Sequence, residues 1–202
     1  MSDYDAVRAF FDGLAGSWDD EVDASRIKDL LLRAEVGPGQ TVLDIGSGTG
    51  VLIPFILEAV GPEGRVYALD ISPAMLERSK AKGFKGVHYI CAPAEAIPLG
   101  DNTCDVVLCY RTFPHFLNKI TATSEMSRVL APGGRLMIAH PQSREELNEL
   151  HRHMDGPVRG HHLPDDETMM RLMCSAGLTN TRISNGPSGY VLLAVKRELP
   201  TD

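Results

Sequence analysis

The stretch TVLDIGSGTGVL, residues 41–52, constrains the fold more than any other part of the chain. Five mostly apolar residues lead directly into Gly46, Gly48 and Gly50, and Asp44 stands two residues before the first of these glycines. Glycine lets the backbone turn sharply and lets N–H groups approach a ligand without an intervening Cβ. The pattern therefore predicts a strand, a tight ligand-facing loop and a helix, in that order.

Apolar runs of strand length recur along the chain with helical patterns between them. This alternation is typical of a parallel sheet covered by helices on both faces. The strand-like runs are residues 41–45, 65–70, 87–91, 104–110 and 135–140, and the helical patterns between them are 51–60, 72–82 and 118–130, the last stopped by APGG. The sequence therefore predicts an α/β fold.

The segments on either side of this alternation carry further elements. Ser143 and Glu146 form a capping-box start for one helix, and Gly177 ends another. The predicted elements are helices in 6–20, 25–36, 143–154 and 163–178, and a closing antiparallel hairpin of 181–185 and 189–197. We expect one domain over residues 1–202, with N-terminal helices and a lid in 1–36 and a helical insertion over the substrate in 141–180.

Charge and composition argue against several classes of function. The formal net charge is −7 without a basic stripe, which disfavours nucleic-acid binding because that binding depends on neutralising phosphates. No apolar run approaches the roughly 20 residues that cross a bilayer, and the acidic N-terminus is not typical of a signal peptide. The four cysteines lack CxxC spacing, which favours reduced thiols. We expect a cytoplasmic monomer or homodimer with no membrane insertion.

The carboxylate before the glycine loop indicates the charge of the ligand. A dinucleotide site typically reads GxGxxG, because the pyrophosphate needs a helix N-terminus to meet its charge. Asp44 would repel a pyrophosphate but attract an ammonium or sulfonium group. Asp70 ends the second strand, where an acid accepts hydrogen bonds from ribose hydroxyls. Asp70 can also be read as a simple N-cap for the helix at Ser72, and Asp44 as a turn cap.

Four motifs carry a family resemblance. VLDIGSGTG, ALDIS, AEAIPLGDNTCDVVLC and SEMSRVLAPGGRLMI resemble, in order and spacing, the class I S-adenosylmethionine (SAM) dependent methyltransferases, particularly the small-molecule group with the ubiquinone and menaquinone C-methyltransferases. The resemblance covers roughly residues 5 to 140. It implies a Rossmann-like, mostly parallel seven-stranded sheet with an antiparallel closing hairpin, SAM as cofactor and S-adenosylhomocysteine as product.

The resemblance also assigns cofactor-binding positions. It places the methionine part of SAM over the glycine loop near Asp44, the ribose at Asp70, and the adenine beside the segment that follows the third strand. Pro93 replaces the acid that the family usually carries in that segment. The implied cofactor-binding residues are Trp18, Asp44, Gly46, Gly48, Gly50, Asp70, Ile71, Ala94, Glu95 and Cys109, the last lining the pocket with Tyr110. Trp18, in a segment that resembles the family's N-terminal lid, can alternatively be packing between a helix and the sheet.

Histidines provide candidates for the chemistry. His115 follows the fourth strand and His140 ends the fifth, so both should face the acceptor at the ligand-binding edge of the sheet. A neutral imidazole can accept a proton from a phenol, enol or thiol, and we expect these two residues to be catalytic. His151 and His153 cannot share one helix face, so at most one of them points inward.

Two further functions stay open for the histidines and arginines of the chain, namely metal binding and binding of an anionic acceptor. His140, His151 and His162, or His161 in place of the last, would supply three nitrogens to a divalent metal, leaving a position for a chelating substrate. The arginines Arg111, Arg144 and Arg159 are possible partners for an anionic acceptor, although each can equally be a surface residue.

The sequence therefore predicts a SAM-dependent methyltransferase that transfers a methyl group to a small molecule by direct in-line displacement. The alternatives are an NAD-dependent oxidoreductase on a similar sheet and a SAM- or metal-binding protein without catalysis. Asp44 and the absence of a GxGxxG pattern in the glycine loop disfavour the oxidoreductase.

Overall fold

A computed structural model describes residues 2–18 and 23–198 of the 202-residue chain. Its centre is a seven-stranded sheet in the order β3-β2-β1-β4-β5-β7-β6. The strands are β1 (Thr41–Ile45), β2 (Arg65–Asp70), β3 (Val87–Cys91), β4 (Cys104–Tyr110), β5 (Leu130–His140), β6 (Leu178–Gly186) and β7 (Gly189–Lys196). The helices are α1 (Asp3–Leu14), α2 (Ala24–Arg33), α3 (Ile53–Val60), α4 (Pro73–Ala81), α5 (Lys119–Val129), α6 (Arg144–His153) and α7 (Asp166–Ser175).

Strand direction confirms the predicted architecture. β1 pairs in parallel with β2 and β4, and the parallel ladder continues to β3 on one side and β5 on the other. β7 then pairs antiparallel with both β5 and β6, which is the closing hairpin. The strand order reverses between β1 and β4, and ligands bind at such a switch point in open α/β sheets.

Helices cover both faces of the sheet because the central strands are apolar on both sides. One core packs β1, β4 and β5 side chains against α5 and α7, and includes Leu43, Ile45, Val107, Cys109, Met126 and Met169. The other packs the opposite faces of the same strands against α2 and α3, and includes Ile27, Leu30, Val42, Ile56, Val106 and Leu108. Near-continuous burial along β4 is typical of such doubly covered strands.

The structure corrects the predicted starts of two strands, because β6 begins at Leu178 instead of 181 and β5 also begins earlier than predicted. β5 begins at Leu130, although APGG, residues 131–134, was predicted to stop a helix before a strand at 135. Cys104 pairs with Leu130, whereas Val106 pairs with Arg135, so the Pro/Gly segment is accommodated as a bulge within the strand. The capping box at Ser143 is confirmed, because Ser143 and Glu146 satisfy each other's backbone N–H groups.

Across the residues that the structure describes, no helix combines the length and the apolar character needed to span a membrane.

Candidate cofactor and acceptor site

A cleft of about 840 Å³, including its open mouth, lies at the carboxyl edge of the sheet. We call it the main cleft. Its walls come from the glycine loop, the end of β2, the segments after β3 and β4, and the N-terminal residues Tyr4, Phe11 and Trp18.

Gly46 sits where two loops meet at the switch point. Its N–H donates to the Leu69 carbonyl at 2.7 Å, and its φ of +67° is left-handed. A Cβ at Gly46 would lie 2.4–2.5 Å from three atoms of Thr112, in the loop after β4. Gly50 is equally constrained, because its Cβ would lie 2.3 Å from Ser79 Oγ on α4. These two glycines are therefore required by close packing of protein on protein.

Gly48 differs from its two neighbours. A Cβ there would meet no atom within 4 Å, and the residue lines the main cleft. Its N–H donates to Asp70 Oδ2 at 2.8 Å. Gly48 is thus the loop glycine that leaves room for a ligand.

Asp70 ties the glycine loop to the start of α4. Its Oδ1 accepts the Ser72 N–H and its Oδ2 the Gly48 N–H, each at 2.8 Å. Burial raises the pKa of Asp70 to about 6, against the lowering effect of these two N–H donors. The cap of α4 is the Ser72 side chain, which accepts the Met75 N–H. Asp70 is therefore not the N-cap residue, and it lines the main cleft.

Asp44 lies in the protein interior near the loop and does not line the main cleft. It is 1% exposed, and its Oδ2 has no hydrogen-bond partner among the described residues. Burial, with a smaller contribution from the neighbouring charge of Asp70, raises its pKa to about 8. A buried unpaired oxygen is costly. Two carboxyl groups beside one glycine loop fit a cationic ligand and do not fit a pyrophosphate.

Another part of the cleft wall comes from Ile71, directly after β2, and from the segment after β3. Pro93, Ala94 and Glu95 of that segment all line the cleft. Glu95 Oε1 accepts the Asn118 N–H at 3.0 Å. Tyr4 belongs to the same part of the wall, because burial and a hydrogen bond to Glu95 raise the pKa of its hydroxyl. Sequence patterns alone carry no signal for Tyr4 as a cleft residue.

The structure does not bring the Cys109 side chain to the cleft. Cys109 is fully buried in the core that β4 shares with α5 and α7, and burial raises the pKa of its thiol. Because side chains alternate along a strand, Tyr110 is the residue of the pair that lines the cleft, followed by Arg111 and Thr112.

A second cavity of about 520 Å³, again including its mouth, adjoins the main cleft. The two share four wall residues, Phe11, Trp18, Arg111 and His115. The remaining walls of the second cavity are Phe10, Leu14, His140, Gln142, Leu147, Leu150, His151 and Met154. Arg111 is the permanently charged residue in this set, and no carboxylate is among the residues described as lining it.

His140 carries unused hydrogen-bonding capacity into the second cavity. It is 1% exposed, and neither ring nitrogen has a partner among the described residues. Burial, with smaller contributions from His151 and Arg111, lowers its pKa to about 3. His140 is therefore a neutral imidazole at pH 7, with one donor and one acceptor to offer a ligand.

The prediction that at most one of His151 and His153 points inward is confirmed. His151 is buried at 4% exposure, whereas His153 lies on the surface and pairs with Glu149. His162 is also exposed and faces the Gly160 carbonyl.

The structure does not bring His140, His151 and His162 together around one site, so the three-nitrogen metal site stays a prediction. His162 lies outside both cavities, whereas His140 and His151 line the second. Within residues 2–18 and 23–198, no group of three or more His, Cys, Asp or Glu side chains is arranged to hold a metal ion.

The three candidate arginines have different surroundings. The guanidinium of Arg111 lies 5.7 Å from the ring centre of Trp18, and both residues line both cavities. Arg144 forms surface ion pairs with Glu145 and Asp166. Arg159 is exposed. Only Arg111 of the three is placed to meet a ligand.

Helix α1 closes one side of the main cleft. Asp12 Oδ1 accepts hydrogen bonds from Ser72 Oγ at 2.5 Å and from the Ala74 N–H at 3.3 Å, which ties α1 to the start of α4. Trp18 packs edge-on against Phe11, with ring centres 6.3 Å apart. Trp18 therefore packs against the protein and lines the cleft as well, and its role as a lid over the cofactor stays a prediction.

Comparisons with known proteins agree with this geometry. A family model described as a methyltransferase domain matches residues 43–138. The chain is 34% identical, over 77% of its length and 72% of the relative, to a ubiquinone/menaquinone biosynthesis C-methyltransferase UbiE of Enterobacter sp. (strain 638). It is 35% identical, with the same coverage, to the protein of that name in Klebsiella pneumoniae.

A solved structure with a similar fold is a SAM-dependent methyltransferase from Aquifex aeolicus. The TM-score is 0.69 at 26% identity, covering 86% of this chain and 93% of that one. The cleft beside two carboxyl groups suits the cationic cofactor named for that protein. The chain therefore belongs to the class I SAM-dependent methyltransferases related to UbiE, and transfers a methyl group from SAM to a small-molecule acceptor.

Proposed function

We propose that SAM binds in the main cleft and that the acceptor binds in the second cavity. The observation that carries this proposal is the shared wall of Phe11, Trp18, Arg111 and His115. Methyl transfer by in-line displacement needs donor and acceptor in contact and shielded from water. Two adjoining cavities with a common wall meet that requirement.

Different parts of the cofactor are bound by different residues of the main cleft, with Asp44 acting from the interior beside it. Asp70 accepts hydrogen bonds from the ribose hydroxyls, and Asp44 and Asp70 together favour the positive charge of the methionine part. Ile71, Ala94 and Glu95 hold the adenine end, and Trp18 closes the cleft. When bound, the cofactor supplies an electrophilic methyl group on a positively charged sulfur.

His115 is the catalytic base in this proposal, and His140 binds the acceptor. His115 lines both cavities, so it alone of the histidines stands where cofactor and acceptor meet. Burial and the nearby histidines hold its pKa well below the ordinary value, so the proton-accepting form is present at pH 7. His140 lines only the second cavity and offers hydrogen bonds to an acceptor hydroxyl.

The second cavity favours an acceptor without positive charge. Its permanently charged wall residue is the cation Arg111, and its three histidines have lowered pKa values. The lowered pKa values of the three histidines reflect an environment that disfavours positive charge, chiefly through burial, and an ammonium group of an acceptor would meet the same environment. We propose a small neutral or anionic acceptor, not a nucleic acid, and a cytoplasmic monomer or homodimer, which is compatible with four free thiols.

Calorimetry and turnover test the proposed function. We expect SAM and S-adenosylhomocysteine to bind at a single site, and NAD not to bind. A panel of phenols, carboxylic acids, thiols and amines should then release S-adenosylhomocysteine with members of the first classes and not with amines. NAD binding without SAM binding, or turnover confined to amines, would contradict the proposal.

Asp70→Ala should weaken SAM binding by at least about 1.5 kcal/mol, roughly tenfold in Kd, because a charged acceptor serves two hydroxyls. The measurement is calorimetry with SAM. Asp105→Ala is the matched control, because Asp105 also accepts a backbone N–H, that of Thr41 at 2.8 Å, but at the opposite edge of the sheet. Equal affinity in Asp70→Ala and wild type would assign Asp70 a purely structural role.

Affinity for SAM should rise with pH. The pKa values of Asp70, about 6, and Asp44, about 8, lie above the ordinary value of 3.8, so both carboxyls bind protons more tightly when folded. Their contribution to the stability of the cofactor-free protein is complete below pH 3.8 and is lost as the pH rises through these values. The cofactor favours the ionised forms, and the ionisation of Asp70 alone should lower Kd roughly tenfold between pH 5 and pH 7, to which ionisation of Asp44 would add.

Calorimetry across this pH range measures the effect, and Asp70→Asn should flatten it. S-adenosylhomocysteine lacks the sulfonium charge and should show a smaller slope. A Kd for SAM that is independent of pH would show that neither carboxyl exchanges a proton when the cofactor binds.

A further inference from the structure

His115 is paired with a second histidine that contributes to neither cavity wall. The Nδ1 atoms of His115 and His161 lie 3.2 Å apart. A hydrogen bond between two imidazole nitrogens needs a proton on one of them and a lone pair on the other. Burial is the largest cause that lowers the pKa of both rings, so both are neutral at pH 7 and the pair shares one N–H in this way.

The surroundings hold the pair in place. Phe11 of α1 packs edge-on against His115 at 5.2 Å between ring centres, and His151 of α6 lies 4.9 Å away. His151 Nδ1 faces the His161 carbonyl at 2.8 Å and donates to it, because a carbonyl only accepts. His151 thus anchors the backbone of the residue that contacts His115.

The titratable and charged groups near the pair all disfavour a positive charge on the His115 or His161 ring. They are His151 on α6, His140 on β5, Lys119 on α5 and His162 beside His161. Lys119 Nζ is held by the carbonyls of Pro114 and Phe116, directly beside His115. The neutral pair, with one shared N–H, is therefore the resting state.

We propose that His161 is a positioning residue, which accepts the Nδ1–H of His115 and so leaves the Nε2 lone pair of His115 for the acceptor. This inference rests on the proposed function of the junction between the two cavities. The opposite arrangement would put a hydrogen on Nε2 and prevent His115 from acting as a base there. A second group that fixes the tautomer of a catalytic imidazole is a general device of acid–base sites.

The proton balance of the step follows from this arrangement. The acceptor X–H gives its proton to His115 Nε2 while a bond forms between X and the methyl carbon. The electron pair of the breaking carbon–sulfur bond stays on sulfur, so the departing thioether is neutral. His115, now protonated at both nitrogens, still donates through Nδ1 to His161 and returns the extra proton to solvent.

The test is the tautomer of His115, measured by ¹⁵N NMR of the imidazole rings in the full chain, both ligand-free and with S-adenosylhomocysteine. We expect the Nδ1–H tautomer in the wild type and loss of that tautomer in His161→Ala. His161→Asn should retain it, because the Asn carboxamide oxygen can accept in place of the Nδ1 lone pair. His162→Ala, an exposed neighbour, is the matched control and should match the wild type.

Turnover gives a second measurement once an acceptor from the panel is established. His161→Ala should lower kcat about 10- to 100-fold at unchanged SAM affinity. His161→Asn should restore most of the lost kcat, because the Asn side chain can orient the His115 ring by a hydrogen bond although it cannot transfer a proton. An Nε2–H tautomer of His115 in the wild type, or an unchanged tautomer in His161→Ala, overturns the inference.

Failure of the proposed function is a different outcome. It would appear as absent SAM binding in calorimetry, whereas the tautomer is measured in the ligand-free protein and decides the inference either way. If His161→Ala fails to fold, the wild-type tautomer and His161→Asn still decide it.

Discussion

His115→Ala should lower kcat by about 10²- to 10⁴-fold, the usual contribution of a general base. Affinity for SAM should change by less than about threefold, because the ribose and the positive charge are bound elsewhere, at Asp70 and Asp44. The physical reason is position: His115 lines both cavities and has a neutral ring at pH 7. Single-turnover kinetics with saturating SAM would measure the chemical step directly.

Two further histidines make this prediction specific. His153→Ala removes an exposed imidazole on α6 that pairs with Glu149, and it should leave kcat unchanged. His140→Ala should reduce turnover chiefly through the KM for the acceptor, with little change in SAM affinity. Equal losses of kcat and of SAM affinity in His115→Ala would instead point to a structural role for that residue.

Gly46→Ala should destabilise the protein by about 2–4 kcal/mol, the sum of a left-handed backbone at a non-glycine residue and overpacking against Thr112. The Cβ would lie 2.5 Å from the Thr112 Cβ itself, so rotating the Thr112 side chain cannot relieve the clash. The two loops must separate, and because both line the main cleft, SAM binding should weaken at least tenfold. Chemical denaturation and calorimetry measure the two effects.

Gly177→Ala isolates the backbone part of this effect. Gly177 follows α7 with a positive φ of +76°, but a Cβ there would meet no atom within 4 Å. This variant should cost only about 1–2 kcal/mol and should leave SAM affinity unchanged. If both variants behave alike, the contact between Gly46 and Thr112 has no role in the cofactor site.

The strand boundaries show which features of the fold sequence patterns can predict. β1, β2, β3 and β4 begin and end at the predicted residues, because buried parallel strands are short, nearly continuous apolar runs. β5 begins five residues earlier than predicted, at Leu130 instead of 135. Pro and Gly locally favour a break, and only pairing with β4 on one side allows those residues to join the strand as a bulge.

The candidate site was also predicted only in part from the sequence. Asp70, Ile71, Ala94, Glu95 and Trp18 line the main cleft as the family motifs imply, because those motifs describe backbone segments that meet at the strand ends. Cys109 does not line it, because the direction of a strand side chain depends on which face of the sheet each helix covers.

The sequence by itself determined the α/β class, the position of the glycine loop and the charge of its ligand, because each depends on residues close together along the chain. Only the tertiary structure decided that Thr112 presses on Gly46, that Asp12 ties α1 to α4, and that His161 meets His115 across 46 positions. Contacts between distant segments depend on how helices pack on the sheet, and no local periodicity carries that information.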